Sequence, residues 1–175
     1  MPPPRWNLLP ASRLEALPRE QRYFEYSEAY LDSATRLCKV LARSTRKANF
    51  QRGAVVLYLV QHALELFYKG AILRRAPKER LVHGVPALRA RYLKLYPAKG
   101  FLIQSTFVPS YANLTTAEIA QVRGSEPPSD QIFRYPEDKE GTPWQGLFAF
   151  EATSFVGEIS ALKNDFARVR AAIDA

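Results

Sequence analysis

The stretch AVVLYLVQHALELFYKGAIL, Ala54–Leu73, decides the fold of this chain. It is apolar on almost every side of a helix, and such a helix is usually covered by others at the centre of a bundle. The valines at its start are typical of strands. The apolar run is too long for a strand, however, and the alanines, leucines and lysine that follow favour a helix. The pattern therefore predicts a central helix from about Asn49 to Arg74.

Three other segments predict helices around that central one. The first begins near Pro18, because proline is tolerated in a first turn, and ends near Arg46. Its apolar stripe has helical spacing and consists of Tyr23, Tyr26, Tyr30, Ala34, Leu37 and Leu41. A shorter helix, VPALRARYLKLY, opens after Gly84 and stops at Pro97, and a last long one covers LFAFEATSFVGEISALKNDFARVRAAI, Leu147–Ile173. We expect an all-α fold, an up-and-down helical bundle of four main helices.

The chain predicts one domain with an insertion. Residues 1–17 are proline-rich and read as an irregular N-terminal segment with a short helical turn near Ser12. Residues 18–175 suit a single hydrophobic core. Residues 99–144 form an irregular loop insertion before the last helix. It contains a short helix in NLTTAEIAQVRG, which Thr115 or Thr116 can cap and Gly124 ends.

Composition places the chain among globular proteins, since 47% of its residues are hydrophobic. The one cysteine, Cys38, can form no intramolecular disulfide, and its helical surroundings favour a buried core residue. No continuous apolar run reaches the roughly 18 to 20 residues of a membrane span. The N-terminus MPPPRWNLLP lacks the pattern of a secretory signal. We expect a cytoplasmic protein that does not associate with membranes.

Motifs for metal and cofactor chemistry are missing from the sequence. There is no G-x-x-x-x-G-K-[ST] phosphate loop, no G-x-G-x-x-G and no H-E-x-x-H. Two histidines and one cysteine are too few for a zinc site without several carboxylates. We therefore expect neither a metal site nor a cofactor.

A polar stripe crosses the central helix. His62, Glu65 and Lys69 are three and then four residues apart, which puts them on one helix face. Glu65 and Lys69 read either as a solvated pair or as a buried pair that organises a polar pocket with His83 or Arg134, because a buried charge must be paired. His62 alone favours a satisfied core or interface histidine. His83, where a loop meets a helix, reads as structural or, alternatively, as ligand-binding or catalytic.

A basic stretch follows the central helix. The net charge of the chain is +8, and the segment from Arg74 to Lys99 holds eight cations against Glu79 alone. Such a patch attracts phosphates and nucleic acids, whereas the alternative is that the cations only solvate the ends of two helices. The candidate nucleic-acid patch consists of Arg74, Arg75, Lys78, Arg80, Arg89 and Arg91. The tyrosine stripe of the first helix favours core or a dimer surface over a base-stacking platform.

Two short motifs resemble the HEPN superfamily of helical bundles, which is named for nucleotide binding. Members often carry a helix A-x-E-x-x-x-K-x-x-L, and then H-x-L or H-G-H-x-L at the start of the next helix. The matching residues here are Ala63, Glu65, Lys69 and Leu73, then His83, Gly84 and Leu88. The sequence RYP, residues 134–136, also resembles a segment ahead of the last helix in some HEPN-like proteins. The resemblance is carried mainly by His62–Leu88, although the order of helices agrees over most of the chain.

The resemblance implies a HEPN-like bundle over residues 18–175 and a function in binding. The ligand would be a nucleotide, a nucleic acid or a partner protein, and the module would form a homodimer through its aromatic first and last helices. The implied ligand-binding residues are Glu65, Lys69, His83, Arg134 and Tyr135.

The chain departs from the HEPN ribonucleases. Their signature is an arginine, four to six residues and a histidine, but here Arg80 precedes His83 by too short a gap and Arg75 by too long a one. Lys78 has the right spacing and the wrong side chain. We therefore favour a non-catalytic module. The alternative is a divergent metal-independent ribonuclease of a defence or toxin–antitoxin system, with His83 as base and Arg80, Lys78 or Arg134 as cation. A third interpretation is a structural interaction domain with no small ligand.

Overall fold

A computed structural model describes residues 12–44, 50–104, 115–118, 133–135, 137, 140–142 and 150–175. The helices are α1 (Ser12–Glu15), α2 (Arg19–Ala42), α3 (Phe50–Arg75), α4 (Val85–Leu95) and α5 (Ala152–Asp174), with a short 3-10 helix at Lys99–Phe101. Over these ranges there is no strand element, and the prediction of an all-α bundle is confirmed.

Helix α3 is the centre of the bundle, as its apolar sequence predicts. It packs against α2, α4 and α5. The Phe67 ring, for example, stacks on Phe166 of α5 with the ring centroids 4.0 Å apart. Its buried apolar residues are Val56, Leu57, Val60, Ala63, Leu64, Phe67, Tyr68, Ala71, Ile72 and Leu73. Neighbours on several sides explain why this helix shows no clear polar face.

One part of the expectation about membranes needs revision. Among the described residues, the segment Gln51–Arg75 is long and apolar enough to cross a membrane by length and composition, with a mean hydropathy of 1.2. The scattered polar residues hide this when only unbroken apolar runs are considered. Within the bundle 67% of this apolar window is buried, as in the core helix of a globular domain.

The buried face of α2 differs from the predicted tyrosine stripe. It consists of Phe24, Ser27, Leu31, Ala34, Cys38 and Leu41, so only Ala34 and Leu41 belong to both sets. The predicted stripe lies beside this face, and Tyr26 is 50% exposed. The predicted stripe was wrong because the buried face contains a polar residue, Ser27. Its hydroxyl donates a hydrogen bond of 2.8 Å to the carbonyl of Ala63, which allows the serine to be buried in the core.

Cys38 is a core residue, as predicted. Its thiol is buried and contacts the carbonyl oxygen of Ala152 at 3.3 Å. Burial, and then the negative charge of Glu151, raises the pKa of this thiol to about 11. A thiol held in the protonated form is a poor nucleophile, which fits a packing role.

Helix α5 begins at Ala152, five residues later than predicted. Residues 143–149 lie outside the described ranges, and Phe150 and Glu151 are not helical. Glu151 is the N-cap, because its carboxylate accepts hydrogen bonds from the backbone N–H groups of Thr153 (2.9 Å) and Ser154 (2.6 Å). These bonds lower its pKa to about 2. Apolar periodicity alone did not reveal this cap.

Only a few residues of the predicted insertion are described. Residues 116–118 are helical, and the amide of Glu118 donates to the hydroxyl of Thr115 at 3.3 Å. The Glu118 carboxylate accepts in return from the Thr115 amide at 2.8 Å, so Thr115 forms a capping box as the sequence indicated. The predicted end of this helix at Gly124 lies outside the described residues.

Hydrogen bonds hold α4 and the 3-10 helix in place. The Tyr96 hydroxyl donates to the carbonyl of Ala71 in α3 at 2.9 Å, and the Tyr92 hydroxyl donates to the carbonyl of Phe101 at 2.6 Å. Arg168 of α5 donates to the carbonyl of Leu102 at 2.7 Å. Together these bonds fix the C-terminal end of α4 against α3 and the 3-10 helix against α5.

Candidate functional site

The pair Glu65–Lys69 is buried, which decides between the two interpretations of the polar stripe. Glu65 is 9% exposed and Lys69 is 6% exposed. The Lys69 ammonium donates to the Glu65 carboxylate at 2.5 Å, one helical turn away on α3. A buried charge that loses its partner strongly destabilises a protein, so Glu65 and Lys69 depend on each other.

The loop before α4 brings His83 onto this pair. Its Nδ1 lies 3.1 Å from Oε1 of Glu65 and 3.4 Å from Nζ of Lys69. The next residue, Gly84, has φ +92°, a conformation that glycine adopts readily and other residues rarely do. The chain therefore turns into α4 directly after the histidine. His83 thus contacts side chains, whereas the structural interpretation expected a bond to the backbone.

Nδ1 of the His83 imidazole has partners, whereas Nε2 has none among the residues that the structure describes. Its side chain is 84% exposed although its Nδ1 contacts a buried carboxylate. With Nδ1 as donor to Glu65, the free Nε2 is an acceptor and a candidate base. With Nδ1 as acceptor from Lys69, Nε2 carries the proton and can donate to an anion.

The electrostatics of the cluster favour an ionised Glu65. Burial opposes the charge, but the hydrogen bond and charge of Lys69, followed by the hydrogen bond from His83, outweigh it and lower the pKa of the carboxyl. An ionised Glu65 accepts from both neighbours at once. This arrangement keeps the Lys69 charge compensated and orients the His83 ring.

His62 belongs to a stack of rings beside this cluster. Tyr30 of α2 meets its imidazole edge-on with the ring centroids 4.5 Å apart, and Tyr58 of α3 stacks on it at 5.8 Å. Burial lowers the pKa of His62, and the positive charges of Lys69 and Arg134 add to this effect against the opposing charge of Glu65. A half-buried, stacked imidazole agrees with the predicted packing role.

Arg134 joins the site through the aromatic stack. Its guanidinium carbon lies 5.8 Å from the centre of the Tyr58 ring and 5.5 Å from that of Tyr135. Tyr135 is 52% exposed. Among the described contacts, Arg134 has no hydrogen bond or ion pair with Glu65, Lys69 or His83. The predicted ligand residues therefore form two neighbouring groups, the ion pair with its histidine and an arginine on tyrosines.

The sequence did not single out Tyr30 and Tyr58 as partners of His62. Tyr58 precedes His62 by four residues, the spacing at which helical side chains touch, so a local signal was present. Tyr30 comes from another helix, and no local spacing could have paired it with His62.

Four cations of the predicted nucleic-acid patch have partners within the protein. Arg91 grips Glu79 with two hydrogen bonds of 2.7 and 2.6 Å, and Arg74 lies 3.6 Å from carboxylates of both Glu20 and Asp174. Arg75 donates to the carbonyl of Leu95 at 2.6 Å, and the positive charge of Arg89 acts on Tyr68, where it opposes the burial that raises the pKa of that tyrosine. These contacts support the view that much of the basic stretch fastens helices together.

The two remaining cations of the patch are open to solvent. Lys78 and Arg80 are exposed and have no hydrogen bond or ion pair with any residue that the structure describes. Both precede His83 in the same loop. They are therefore the members of the predicted patch that are free to meet an anion near the imidazole.

Comparisons with known proteins do not add an identity. No family model matches the chain, and neither the curated proteins nor the solved structures contain a significant match. In the described part of the chain, no group of three or more His, Cys, Asp or Glu side chains could hold a metal ion.

Proposed function

We propose that this protein is a non-catalytic HEPN-like module that binds a phosphate-bearing ligand, either a nucleotide or a nucleic acid, at the cluster of Glu65, Lys69 and His83. Arg134 and Tyr135 would contribute the neighbouring cation and ring. The proposal rests on the resemblance of this segment to HEPN domains and on one observation. A buried ion pair lies beneath an imidazole that is itself 84% exposed.

That observation favours a binding site over a packing device. Stability alone does not call for a buried ion pair, since well-packed apolar residues of similar volume often serve equally well or better. The pair instead holds a polar, exposed ring at a fixed place on the surface. In the tautomer whose Nδ1 accepts from Lys69, Nε2 of His83 carries the proton and can donate to a phosphate oxygen, while the Lys78 and Arg80 side chains of the same loop supply positive charge.

Tyr135 and Arg134 suit the remainder of such a ligand. An exposed tyrosine ring offers a stacking surface for a nucleobase, a contact that tolerates any base. The cation–π contacts of Arg134 leave the edge of its guanidinium available for hydrogen bonds.

The second candidate function is the divergent ribonuclease. The observation that favours it is the contact of 3.1 Å between Glu65 and Nδ1 of His83. A carboxylate that holds one ring nitrogen leaves the other as an oriented base, and Arg80 is available as a cation. The departure from the Arg-spacer-His signature weighs against this candidate.

The deciding experiment titrates a fluorescent mixed-sequence single-stranded RNA with the protein in EDTA, at two salt concentrations, and reads both anisotropy and cleavage. We expect salt-sensitive binding without cleavage. His83→Ala should weaken binding about tenfold or more, because it removes one hydrogen bond to a charged group, which is worth about 1.5 to 3 kcal/mol. The matched control is Val82→Ala, because Val82 is the exposed neighbour of His83 and has no polar group to lose.

The other outcomes separate the alternatives. Cleavage that is lost in His83→Ala and kept in Val82→Ala would establish the ribonuclease. Absence of binding to RNA and to adenosine triphosphate alike would refute the proposed ligand class and direct attention to a protein partner. The proposal also includes a homodimer, in keeping with the exposed apolar Val40 on α2. Light scattering that gives a monomer mass at all concentrations would remove that part.

A further inference from the structure

A second site lies at the other end of the tyrosine stripe. A pocket of about 430 Å³, open to solvent, lies where α1 and the start of α2 meet α3. Its lining consists of Leu14, Arg19, Arg22, Tyr23, Tyr26 and Leu66. None of these residues belongs to the cluster of Glu65, Lys69 and His83 or to the Arg134 stack. The volume falls within the range of about 300 to 1,000 Å³ typical of small-molecule sites.

The lining combines apolar walls with positive charge. Leucine and tyrosine side chains supply the apolar surface, and Tyr26 is 50% exposed although it is a large aromatic residue. The two arginines bring two positive charges, and among the residues that line the pocket there is no carboxylate. A pocket with apolar walls, two guanidinium groups and no lining carboxylate matches a ligand that has an apolar body and a negative charge.

The two arginines have different roles in this pocket. Arg22 is held in place, since its Nε donates to the carbonyl of Leu17 and its Nη2 to the carbonyl of Glu15, both at 2.9 Å. Its guanidinium therefore forms part of the wall and links α1 to α2. Arg19 is exposed and has no hydrogen bond or ion pair with the described residues, so its fork is free to grip an incoming anion.

We propose that this pocket binds a small aromatic carboxylate. The ring would lie against Tyr23 and Tyr26, as aromatic pairs prefer offset or edge contacts, and the carboxylate would meet Arg19 in a two-pronged hydrogen bond with Arg22 as the second cation. The site is independent of the phosphate-bearing ligand proposed above.

The test uses naphthoate and its neutral analogue naphthylmethanol, measured by titration calorimetry against the full chain. The acid should bind at one site and at least about fivefold more tightly than the alcohol, because only the acid carries a negative charge and two oxygens that pair with a guanidinium. Arg19→Gln should remove this difference. The matched control is Arg36→Gln, because Arg36 is exposed on the same helix but lies about 25 Å away along it.

Two further variants complete the test. Tyr26→Ser should weaken the acid and the alcohol alike, since it removes the shared apolar contact. His83→Ala should leave both affinities unchanged, which separates this pocket from the other site. Equal affinity for acid and alcohol would overturn the proposal, as would an equal loss in Arg36→Gln or the absence of saturable binding.

Discussion

Removal of Lys69 should reveal how much the buried ion pair matters to the fold. In Lys69→Met the Glu65 side chain stays largely buried, since Glu65 is 9% exposed in the native protein, and its carboxylate keeps only His83 as a partner. Breaking one side of a buried pair costs about 3 to 5 kcal/mol. Because His83 can still compensate the carboxylate, we expect the lower end, about 3 kcal/mol of the free energy of unfolding. For a chain of this length that corresponds to a fall in Tm of about 6 to 12 °C.

The same substitution at Lys163 is the control. Lys163 and Asp32 lie at the same distance of 2.5 Å as Lys69 and Glu65, but their side chains are 45% and 51% exposed. An exposed pair contributes at most about 1 kcal/mol. Lys163→Met should therefore be close to neutral, and the contrast between the two variants isolates burial from distance.

A double variant tests whether the cost comes from the orphaned charge. Glu65→Leu with Lys69→Met replaces the pair by apolar side chains of similar volume and should lie within about 1 kcal/mol of the native protein. Urea unfolding followed by circular dichroism gives the free energies of the native protein, Lys69→Met, Lys163→Met, Glu65→Leu and the double variant. The reasoning is wrong if Lys69→Met costs as little as Lys163→Met, or if the double variant costs as much as its two single changes added together.

Three further predictions concern packing, reactivity and acid stability. Gly157→Ala, in an exposed part of α5 with open space around it, should raise the free energy of unfolding by about 1 kcal/mol. Gly53→Ala should lower the free energy of unfolding, because the new Cβ would lie 2.6 Å from Cγ of Phe150. Thermal melts in which the two variants shift Tm in the same direction would contradict this prediction. Native Cys38 should react with iodoacetamide at least about 100-fold more slowly than the unfolded chain, since its pKa of about 11 lies above the ordinary 9.0 and leaves less thiolate. Equal rates in the native and unfolded protein would show that the thiol is accessible. The pKa of Glu151 is about 2 against an ordinary 4.5, so its contribution to stability is present above about pH 4.5 and is lost as the pH falls toward 2. Glu151→Gln should therefore have a lower free energy of unfolding than the native protein near neutral pH, and the difference should disappear at pH 2. A difference that does not change with pH would refute the charged cap.

Much of the fold could be predicted because long apolar periods report directly on helices. The bounds of α3 and α4 agree with the prediction to within a residue or two. The buried face of α2 could not be predicted, because Tyr23 and Phe24 begin two overlapping stripes with the same spacing. The choice between them depends on Ser27, whose hydrogen bond to a distant backbone carbonyl is invisible in local sequence.

The sequence predicted which residues belong to the candidate site, but it did not predict how deeply they are buried. The spacing of Glu65 and Lys69 fits a solvated pair and a buried pair equally well, so only the tertiary structure could separate them. The same limit applies to the basic stretch. Net charge counts Arg75 and Arg91 as free cations, although each is engaged by a partner elsewhere in the fold.

The position of α3 at the centre of the bundle distributes sensitivity to substitution unevenly along the chain. From Val56 to Leu73 every residue of α3 is buried or partly buried, so almost any replacement there must be accommodated by a neighbouring helix. The outward faces of α2 and α5 carry no such constraint. The exposed faces of those helices can therefore vary while the protein still folds, whereas α3 and the buried residues that pack against it must keep their packing.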